Sequence, residues 1–344
     1  MDASNNLIGH KRTIIITGCA GFIGSSLAER LLSENHRVLG LDNFNNFYSP
    51  KLKHQNIEEI QNCKNNHLFL FVEGDIRKKS SVDNVFRAAL NFSSPDNIIL
   101  IHLAAMAGVR PSLKKPFLYS DVNIGGTINL LEACKEHKIN KHIFASSSSV
   151  YGNNKKIPFS EEDPVDCPIS VYAATKKSGE LICNTYAHLY SIKTIILRFF
   201  TVYGPRQRPD LAIHKFTQKI IDNQTISVFG DGKSKRDYTY IDDVVDGVIK
   251  AIDRFGNNSS NISELYNLGG GDPIALHLLI EMIERKLRKK AVINWQPDQI
   301  GDMKITCADI SKSHLILGYT PSTQIEEGLS KFIAWYLEKK KITK

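Results

Sequence analysis

Hydrophobic and polar positions form two kinds of segment that alternate through residues 13–198. Short runs of apolar and β-branched residues are typical of buried strands, and they lie at 13–17, 37–41, 67–72, 98–101, 141–145 and 193–198. Between them, apolar residues recur three and four positions apart, which predicts helices. These helices lie at 25–32, 50–63, 80–90, 121–137 and 170–189. Alternating strands and helices predict an α/β fold with a doubly wound parallel sheet.

The pattern becomes less regular after residue 200. Helical spacing recurs at 211–222, in a segment that ends at 254, and at 274–287 and 325–339. Short strand-like runs lie at 227–229, 265–268 and 291–295. We therefore predict a smaller lobe of mixed α/β structure over residues 201–344. It interleaves with a first domain over residues 1–200, to which the chain returns near residues 237–265.

The composition is that of an ordinary globular protein, with 42% hydrophobic and 23% charged residues in a chain of 344. No apolar run approaches the roughly 18 residues that cross a bilayer, and the N-terminus lacks a signal-peptide pattern. We therefore expect a cytoplasmic protein without a membrane partner. The six cysteines show no disulfide or zinc spacing, so we expect no structural metal. The net charge of +8 is mostly dispersed and no nucleic-acid-binding motif accompanies it, so we expect no nucleic-acid partner.

A glycine-rich loop joins the first predicted strand to the first predicted helix. It contains Gly18, Gly21 and Gly24, with Phe22 and Ile23 between the last two glycines. Glycines allow the backbone to approach a pyrophosphate, and the N-terminus of the following helix supplies amide donors. A plain tight turn is the alternative explanation. The position between a strand and a helix favours a dinucleotide-binding, Rossmann-type domain over residues 1–200.

Acidic and small residues follow the next three strands. Asp42 ends the second strand, 24 residues after Gly18, where a carboxylate accepts hydrogen bonds from an adenosine ribose and repels a 2′-phosphate. This position favours NAD over NADP as the cofactor. Asp75 and Ile76 follow the third strand, where they would flank an adenine. The small residues at 102–108 follow the fourth strand, and either a flat cofactor ring or close helix packing explains them.

Tyr172 and Lys176 are four residues apart in a predicted helix, so they share one helix face. An isolated tyrosine has a pKa of about 10, and a neighbouring positive charge lowers that value. General acid–base catalysis uses a group whose pKa lies near the operating pH. Because Tyr-x-x-x-Lys also occurs by chance, the pair indicates a catalytic site only together with the glycine-rich loop and the serine run at 146–149.

Seven motifs together resemble the nucleotide-sugar epimerases of the extended short-chain dehydrogenase/reductase superfamily. They are TGCAGFIGSSL, LDNFNNFY, HLAAMAGVRPSL, SSSSVYG, YAATKKSGE, RFFTVYGPRQRPDLA and RDYTYIDDV. The likeness extends over about residues 13–334. It implies NAD as the cofactor and a UDP-sugar as the substrate. It also implies a homodimer formed through the helices at 121–137 and 170–189.

The resemblance implies roles for individual residues. Gly18, Gly21 and Gly24 would hold the cofactor pyrophosphate, and Phe22 and Ile23 would be further cofactor-binding residues. The other implied cofactor-binding positions are Asp42 and Asn43 at the adenosine ribose, Asp75 and Ile76 at the adenine, Leu103, Ala104 and Ala105 along the cofactor path, Asn123, and Tyr172 and Lys176. Tyr172 would be the catalytic base, Lys176 its partner, and Ser147 the hydroxyl that bonds to the sugar O4. The implied substrate-binding residues are Arg110, Ser147, Ser148, Thr201, Arg208, Arg236 and Asp302.

Departures from related enzymes select among substrates. Ser148 and Ser149 stand where dehydratases of the superfamily carry an Asp-Glu pair and where decarboxylases carry a glutamate. Two serines supply no acid and base for elimination of water. Thr201 replaces an asparagine of the galactose-type epimerases. With Arg208, which would bind a C6 carboxylate through a two-pronged charge-assisted bond, it resembles the enzymes that interconvert UDP-glucuronate and UDP-galacturonate.

The implied reaction is a reversible NAD-dependent inversion at C4 of the UDP-sugar through a 4-keto intermediate. Tyr172 as phenolate would remove the O4 proton, and the hydride that leaves C4 would return to its other face after the sugar turns. The intermediate is a β-keto acid, so Arg208, Thr201 and Ser147, with Arg110 as a further candidate, would hold its carboxylate against loss of carbon dioxide. The alternatives are a 4-epimerase of neutral UDP-hexose or UDP-N-acetylhexosamine, a UDP-glucuronate decarboxylase, and a non-catalytic dinucleotide-binding protein.

Overall fold

The computed structural model describes residues 11–256, 262–297 and 303–342, and they form two compact units. Unit 1 takes its described residues from Met1–Ser146, Val171–Leu197 and Val248–Leu265. Unit 2 takes its described residues from Ser147–Ser170, Arg198–Gly247 and Tyr266–Lys344. The units interleave along the sequence. Compared with the predicted boundary at residue 200, residues 147–170 fall in unit 2 and the return to unit 1 begins at residue 248.

The strands, as bounded within the described residues, are β1 (Thr13–Thr17), β2 (Arg37–Asp42), β3 (Phe69–Glu73), β4 (Ile98–His102), β5 (Lys141–Ser147), β6 (Lys193–Phe199), β7 (Thr201–Tyr203), β8 (Ile226–Phe229), β9 (Lys235–Tyr240), β10 (Ser263–Leu268), β11 (Pro273–Ala275) and β12 (Ile293–Gln296). The α-helices are α1 (Phe22–Ser33), α2 (Pro50–Gln61), α3 (Lys79–Leu90), α4 (Val109–Lys114), α5 (Pro116–Ser120), α6 (Gly126–Glu136), α7 (Val171–Tyr190), α8 (Ala212–Ile221), α9 (Ile241–Arg254), α10 (Leu276–Leu287), α11 (Ser311–Leu317) and α12 (Ile325–Ile342).

A seven-stranded parallel sheet with the order β3-β2-β1-β4-β5-β6-β10 is the centre of unit 1. The division between the units falls inside β5, β6, α9 and β10. Strands β1 and β4 are buried along their whole length, as their continuous apolar runs predict. Thr17 at the end of β1 stands opposite Leu41 of β2 and His102 of β4. The carboxyl ends of three adjacent strands therefore meet at one sheet edge, where the glycine-rich loop begins.

Helices cover the sheet of unit 1 through two apolar clusters. The larger cluster includes Ile15, Leu39, Phe86 and Leu130, and each is fully buried. Burying one such side chain contributes roughly 1.5–3 kcal/mol. The smaller cluster joins Phe144 of β5 to Cys183 of α7. Gly179 makes this approach possible, since a Cβ there would lie 2.3 Å from Cζ of Phe144. Helix α7, which carries Tyr172 and Lys176, is thus held close to β5.

Unit 2 contains two small sheets and its own apolar core. Strand β9 pairs in parallel with β7 and antiparallel with β11, and β8 pairs in parallel with β12. The core cluster includes Val150, Tyr151, Phe159 and Phe200. Helix α10 packs against α8 and α12. The mixed α/β character predicted for this part of the chain is confirmed.

The structure differs from the predicted elements mainly where a short or polar segment forms a strand or an extra turn. Strands β7, β9 and β11 and helices α4, α5 and α11 were not predicted. The helix predicted from residue 274 begins at Leu276, because 273–275 pair with β9. The helix predicted over 121–137 opens with a π-helical turn at Asp121–Gly125. In the part of the chain that is described, no helix is long and apolar enough to span a membrane.

Candidate active site

The glycine-rich loop at the end of β1 is too closely packed at Gly18 and Gly24 to accept a side chain there. Gly18 has φ of 75°, and a Cβ there would lie 2.8 Å from the Ala104 nitrogen. A Cβ on Gly24 would lie 2.2 Å from the Gly18 oxygen. Among the described residues no side chain caps the N-terminus of α1 at Gly21, and its first turn carries no acidic residue. Its amide groups and positive dipole end suit the pyrophosphate of a dinucleotide.

Two side chains hold Ala20 of this loop in place. The Ala20 amide donates to Oδ2 of Asp42 at 3.1 Å, and Nδ2 of Asn56 donates to the Ala20 oxygen at 2.9 Å. The second oxygen of Asp42 accepts from the Phe44 amide at 2.9 Å. Burial raises the pKa of Asp42, while Lys53 and the backbone donors oppose that rise. Asp42 therefore fixes the loop besides its predicted contact with a ribose. Asn56 was not predicted, because nothing local marks an asparagine on α2.

The predicted adenosine-binding residues come together at the β2–β3 edge. Nδ2 of Asn43 donates to Oδ2 of Asp75 at 3.0 Å, and Nη2 of Arg77 lies 2.7 Å from the same oxygen. The hydrogen bonds from Arg77 lower the pKa of Asp75 to about 2, so this carboxylate is charged at neutral pH. The neighbouring Ile76 is buried, and it packs so closely that a Cβ on Gly126 would lie 2.4 Å from its Cδ1.

A buried hydrogen-bond chain starts at Thr17, next to Gly18. The Thr127 hydroxyl donates to the backbone carbonyl oxygen of Asn123 at 2.6 Å. Because that bond uses the hydroxyl proton, Oγ1 of Thr127 accepts from Nε2 of His102 at 3.0 Å. Nδ1 of His102 is then an acceptor and receives the Thr17 hydroxyl at 2.8 Å. Thr17 in turn accepts from the Ala104 amide at 3.2 Å. Burial lowers the pKa of His102 well below its ordinary value, so the ring is neutral and its tautomer is fixed.

Asn123 continues this chain toward α7. Its side chain accepts from the Met106 amide at 2.8 Å and donates to the Met106 oxygen at 3.0 Å. It also donates to Oγ1 of Thr175 at 3.0 Å. The Thr175 hydroxyl donates to the backbone carbonyl oxygen of Tyr172 at 2.8 Å. The segment after β4, with Leu103, Ala104 and Ala105, is therefore tied both to the glycine-rich loop and to the first turn of α7. The sequence placed Asn123 at the cofactor site but did not predict this connection.

Tyr172 and Lys176 lie in the first two turns of α7. The Tyr172 amide donates to Oγ of Ser112 at 3.1 Å, and the ring of Tyr119 packs edge-on with centroids 6.3 Å apart. Lys176 is buried, and its Nζ donates to the Ala145 oxygen at 2.7 Å. Burial lowers the pKa of Lys176 to about 8. The predicted pair is thus a phenol one turn from an ammonium group held by the end of β5.

Unit 2 contains Ser147 and Ser148, the two serines predicted to contact the substrate. Oγ of Ser147 accepts from the Ser149 amide at 3.2 Å and from the Ser149 hydroxyl at 2.9 Å. Because both of these are accepted bonds, the hydroxyl proton of Ser147 remains for a third partner, such as a sugar oxygen. Ser148 is buried.

The predicted carboxylate-binding arginine already holds a carboxylate of its own loop. Nε and Nη2 of Arg208 each lie 3.0 Å from an oxygen of Asp210. A guanidinium has five N–H donors in a planar fork, a geometry that matches carboxylates. Thr201 begins β7, opposite Tyr238 of β9.

The other predicted substrate residues lie in different settings. Arg236, on β9, donates to the oxygen of Lys235 at 2.9 Å, and Arg110 is exposed on α4. Asp302 lies outside the described residues.

Asp237 is a residue of unit 2 that sequence reasoning missed. It is fully buried, and its oxygens accept from the Gly270, Gly271 and Ala308 amides at 2.6, 3.0 and 2.9 Å. Burial raises its pKa, and these amides oppose the rise. It ties two loops to β9, next to Arg236. Its only signal in the sequence is an acidic residue between an arginine and a tyrosine.

Comparison with known proteins places this geometry in a family. The profile of the family described as GDP-mannose 4,6 dehydratase matches residues 15–332. A UDP-glucuronate 4-epimerase of Thermodesulfobacterium geofontis is 42% identical, covering 94% of this chain and 96% of that protein. An uncharacterised protein of Methanocaldococcus jannaschii is 45% identical, covering 96% and 97%. The crystal structure of UDP-glucuronic acid 4-epimerase from Bacillus cereus with UDP-glucuronic acid and NAD has a TM-score of 0.86 at 36% identity, covering 95% and 99%.

Proposed function

The chain belongs to the family described as GDP-mannose 4,6 dehydratase, within the extended short-chain dehydrogenase/reductases, and on that premise we propose that it is an NAD-dependent UDP-glucuronate 4-epimerase. It interconverts UDP-glucuronate and UDP-galacturonate. The observation that carries the proposal is the buried Lys176 one helical turn from Tyr172, on a helix tied to the glycine-rich loop. The relatives and structural neighbours with this activity support it.

NAD fits the residues present in unit 1. Gly18 and Gly24 have no space for a side chain, and no side chain caps the N-terminus of α1 at Gly21. Asp42 is a carboxylate that disfavours a 2′-phosphate. Gly18, Gly21 and Gly24 would hold the pyrophosphate, and Asp75 with Ile76 would flank the adenine. Bound NAD supplies a reversible hydride acceptor for C4 of the sugar.

The residues of α7 supply the proton chemistry. Tyr172 removes the proton from O4 when the C4–H bond breaks and returns it when that bond forms again on the other face. The ammonium group of Lys176 favours the phenolate form of Tyr172. The Ala145 oxygen and the first turn of α7 keep the two side chains in place. Neither residue is consumed, so the pair works in both directions.

The residues of unit 2 select the substrate. Ser148 and Ser149 supply no carboxylate, so the elimination chemistry named in the family description has no acid and base in this segment. Arg208 would bind the C6 carboxylate through a two-pronged, charge-assisted bond. Ser147, Thr201 and Arg236 are the further substrate contacts that we propose.

The first test is an assay of the purified protein with UDP-glucuronate and no added cofactor. We expect UDP-galacturonate to form from UDP-glucuronate, and UDP-glucuronate to form when the assay starts from UDP-galacturonate. No cofactor needs to be added, because NAD is regenerated in each cycle and remains bound. The two sugars are separated by anion-exchange chromatography of the nucleotide products. Release of carbon dioxide with formation of UDP-xylose would contradict the epimerase and favour the decarboxylase alternative.

We also propose that the protein is a homodimer formed through α6 and α7. These helices pack against each other, and they expose Ile128 on α6 together with Leu181, Leu189 and Tyr190 on α7. Leu181 and Leu189 are eight residues apart, so they lie on the same side of α7. A second copy of this surface would cover these apolar side chains.

Leu181→Glu is expected to convert the dimer into a monomer, because it places a charge within the apolar contact. The measurement is sedimentation velocity at micromolar protein concentration. Leu315→Glu on α11 is the matched control, because that leucine is 84% exposed and belongs to unit 2. A wild-type protein that sediments as a monomer would refute the proposed dimer.

A further inference from the structure

Glu180 is a buried carboxylate that the proposed mechanism leaves without a task. It is 2% exposed and lies one turn after Lys176 on α7. Oγ of Ser146 donates to its Oε1 at 2.6 Å, and Nζ of Lys177 lies 3.6 Å from its Oε2. Removing a carboxylate from water costs several kcal/mol unless charged or hydrogen-bonded partners offset the loss. A carboxylate buried one turn from Lys176 is therefore costly unless nearby groups offset the cost.

The end of β5 connects Glu180 with Lys176. Two consecutive residues of this strand bond to α7: the Ala145 oxygen accepts from Lys176, and the Ser146 hydroxyl donates to Glu180. Lys176 and Glu180 are four residues apart, so they occupy neighbouring positions on one helix face. The strand thus fixes the ammonium group and the carboxylate relative to each other, at a place that solvent does not reach.

Three titratable side chains on β4, β5 and α7 are neutral near pH 7–9. His102 on β4 and His142 on β5 are uncharged, because burial lowers the pKa of His102 well below its ordinary value and that of His142 to about 3. Cys183 on α7 stays a thiol because burial raises its pKa. The ring of Phe144 lies 5.1 Å from Nζ. Cys183 and Glu180 both oppose the lowering of the Lys176 pKa by burial. Because the Cys183 side chain is a neutral thiol, Glu180 is the one of the two that supplies a negative charge.

We propose that Glu180 is a positioning residue that keeps Lys176 charged, and thereby extends catalysis to higher pH. This inference rests on the proposed function only in that Lys176 assists Tyr172. A nearby negative charge stabilises an ammonium group. Without it, Lys176 loses its proton at lower pH, and Tyr172 loses the charge that favours its phenolate. The alkaline limb of the pH profile then moves to lower pH.

Glu180→Gln is the primary test, because glutamine keeps the volume and can still accept from Ser146. We expect Lys176 to titrate about one pH unit lower in this variant than in the wild type. The measurement is ¹³C NMR of the lysine ε-carbons, with the Lys176 signal assigned by its loss in Lys176→Arg. The alkaline limb of kcat with UDP-glucuronate should move by the same amount, which lowers kcat about tenfold at high pH and little at pH 6.

Three further variants separate charge from structure. Ser146→Ala removes a hydrogen bond and leaves the charge, so both the titration and the limb should stay close to the wild type. Glu180→Asp keeps the negative charge, so Lys176 should titrate close to its wild-type pH in this variant. Where Glu180→Gln does not fold, the double variant Ser146→Ala with Glu180→Met replaces the buried polar pair by apolar groups, a change that is often tolerated. It should show the same shift as the glutamine variant.

The titration and the assay answer different questions. If Lys176 titrates at the same pH in the wild type and in the neutral variants, the role of Glu180 is refuted. If the wild type does not turn over UDP-glucuronate, the proposed function fails, and the titration still decides whether Glu180 holds the charge on Lys176.

Discussion

Tyr172→Phe is expected to lower turnover of UDP-glucuronate by about 10²–10⁴-fold, the usual contribution of general acid–base catalysis. Phenylalanine keeps the ring that packs against Tyr119 and removes only the hydroxyl. The O4 proton then has no acceptor on α7. The hydrogen bonds that fix the first turn of α7 involve the backbone amide and the backbone carbonyl oxygen of Tyr172, so the substitution leaves them in place.

The same variant is expected to retain NAD. The residues that we propose for the pyrophosphate and the adenosine lie in the loop after β1 and at the β2–β3 edge, and Tyr172 contributes to neither. Release of the nucleotide by heat, followed by chromatography, measures the NAD content per chain. Tyr190→Phe, which removes a hydroxyl from the last residue of the same helix, should stay within about twofold of wild-type turnover. Comparable turnover of Tyr172→Phe and the wild type would refute the assignment of the base.

The fold was predictable where the local pattern and the tertiary structure demand the same residues. Strands β1 and β4 are buried on both faces, so their sequences are continuous apolar runs. The loop after β1 needs glycine for two reasons, a left-handed backbone at Gly18 and close contacts at Gly24. Strand β9 reads KRDYTY and carries polar residues that bond to other segments. Such a strand is defined by its partners, and no local pattern predicts it.

The predicted site shows the same division. Tyr172, Lys176 and Asp42 belong to short motifs, and the structure gives each of them contacts near a strand or helix end. The residues that hold them were missed. His102 connects Thr17 with Thr127, which are 110 positions apart in the sequence. A buried histidine of this kind looks like any other residue at the end of a strand until the fold is known.

The family description and the serine run point to different chemistry, and the residues decide between them. A dehydratase needs an acid and a base at neighbouring carbons. At the end of β5 and directly after it, this chain has Ser147, Ser148 and Ser149, which bond to one another or are buried. We therefore propose that a few side chains at the end of β5 and after β6, and not the fold, select the reaction.

Arg208→Ala is expected to lower kcat/KM for UDP-glucuronate about 10²-fold, or about 3 kcal/mol, because it removes one partner of a charged pair with the C6 carboxylate. The kcat/KM for neutral UDP-glucose, measured at high enzyme concentration, should change less than about threefold. Arg206→Asn is the matched control in the same loop. Residue 206 has φ of 66°, and asparagine tolerates this left-handed backbone better than alanine.

The variant should also lose control of the intermediate. A 4-keto uronate is a β-keto acid, and it loses carbon dioxide when the carboxylate bond lies parallel to the carbonyl π system. In the proposed contact, the guanidinium group of Arg208 holds the carboxylate away from that alignment. We therefore expect Arg208→Ala to release more carbon dioxide per UDP-galacturonate formed, as measured with uniformly ¹⁴C-labelled UDP-glucuronate. An equal loss of activity with the acidic and the neutral sugar, without extra carbon dioxide, would show that Arg208 acts on the fold and not on the carboxylate.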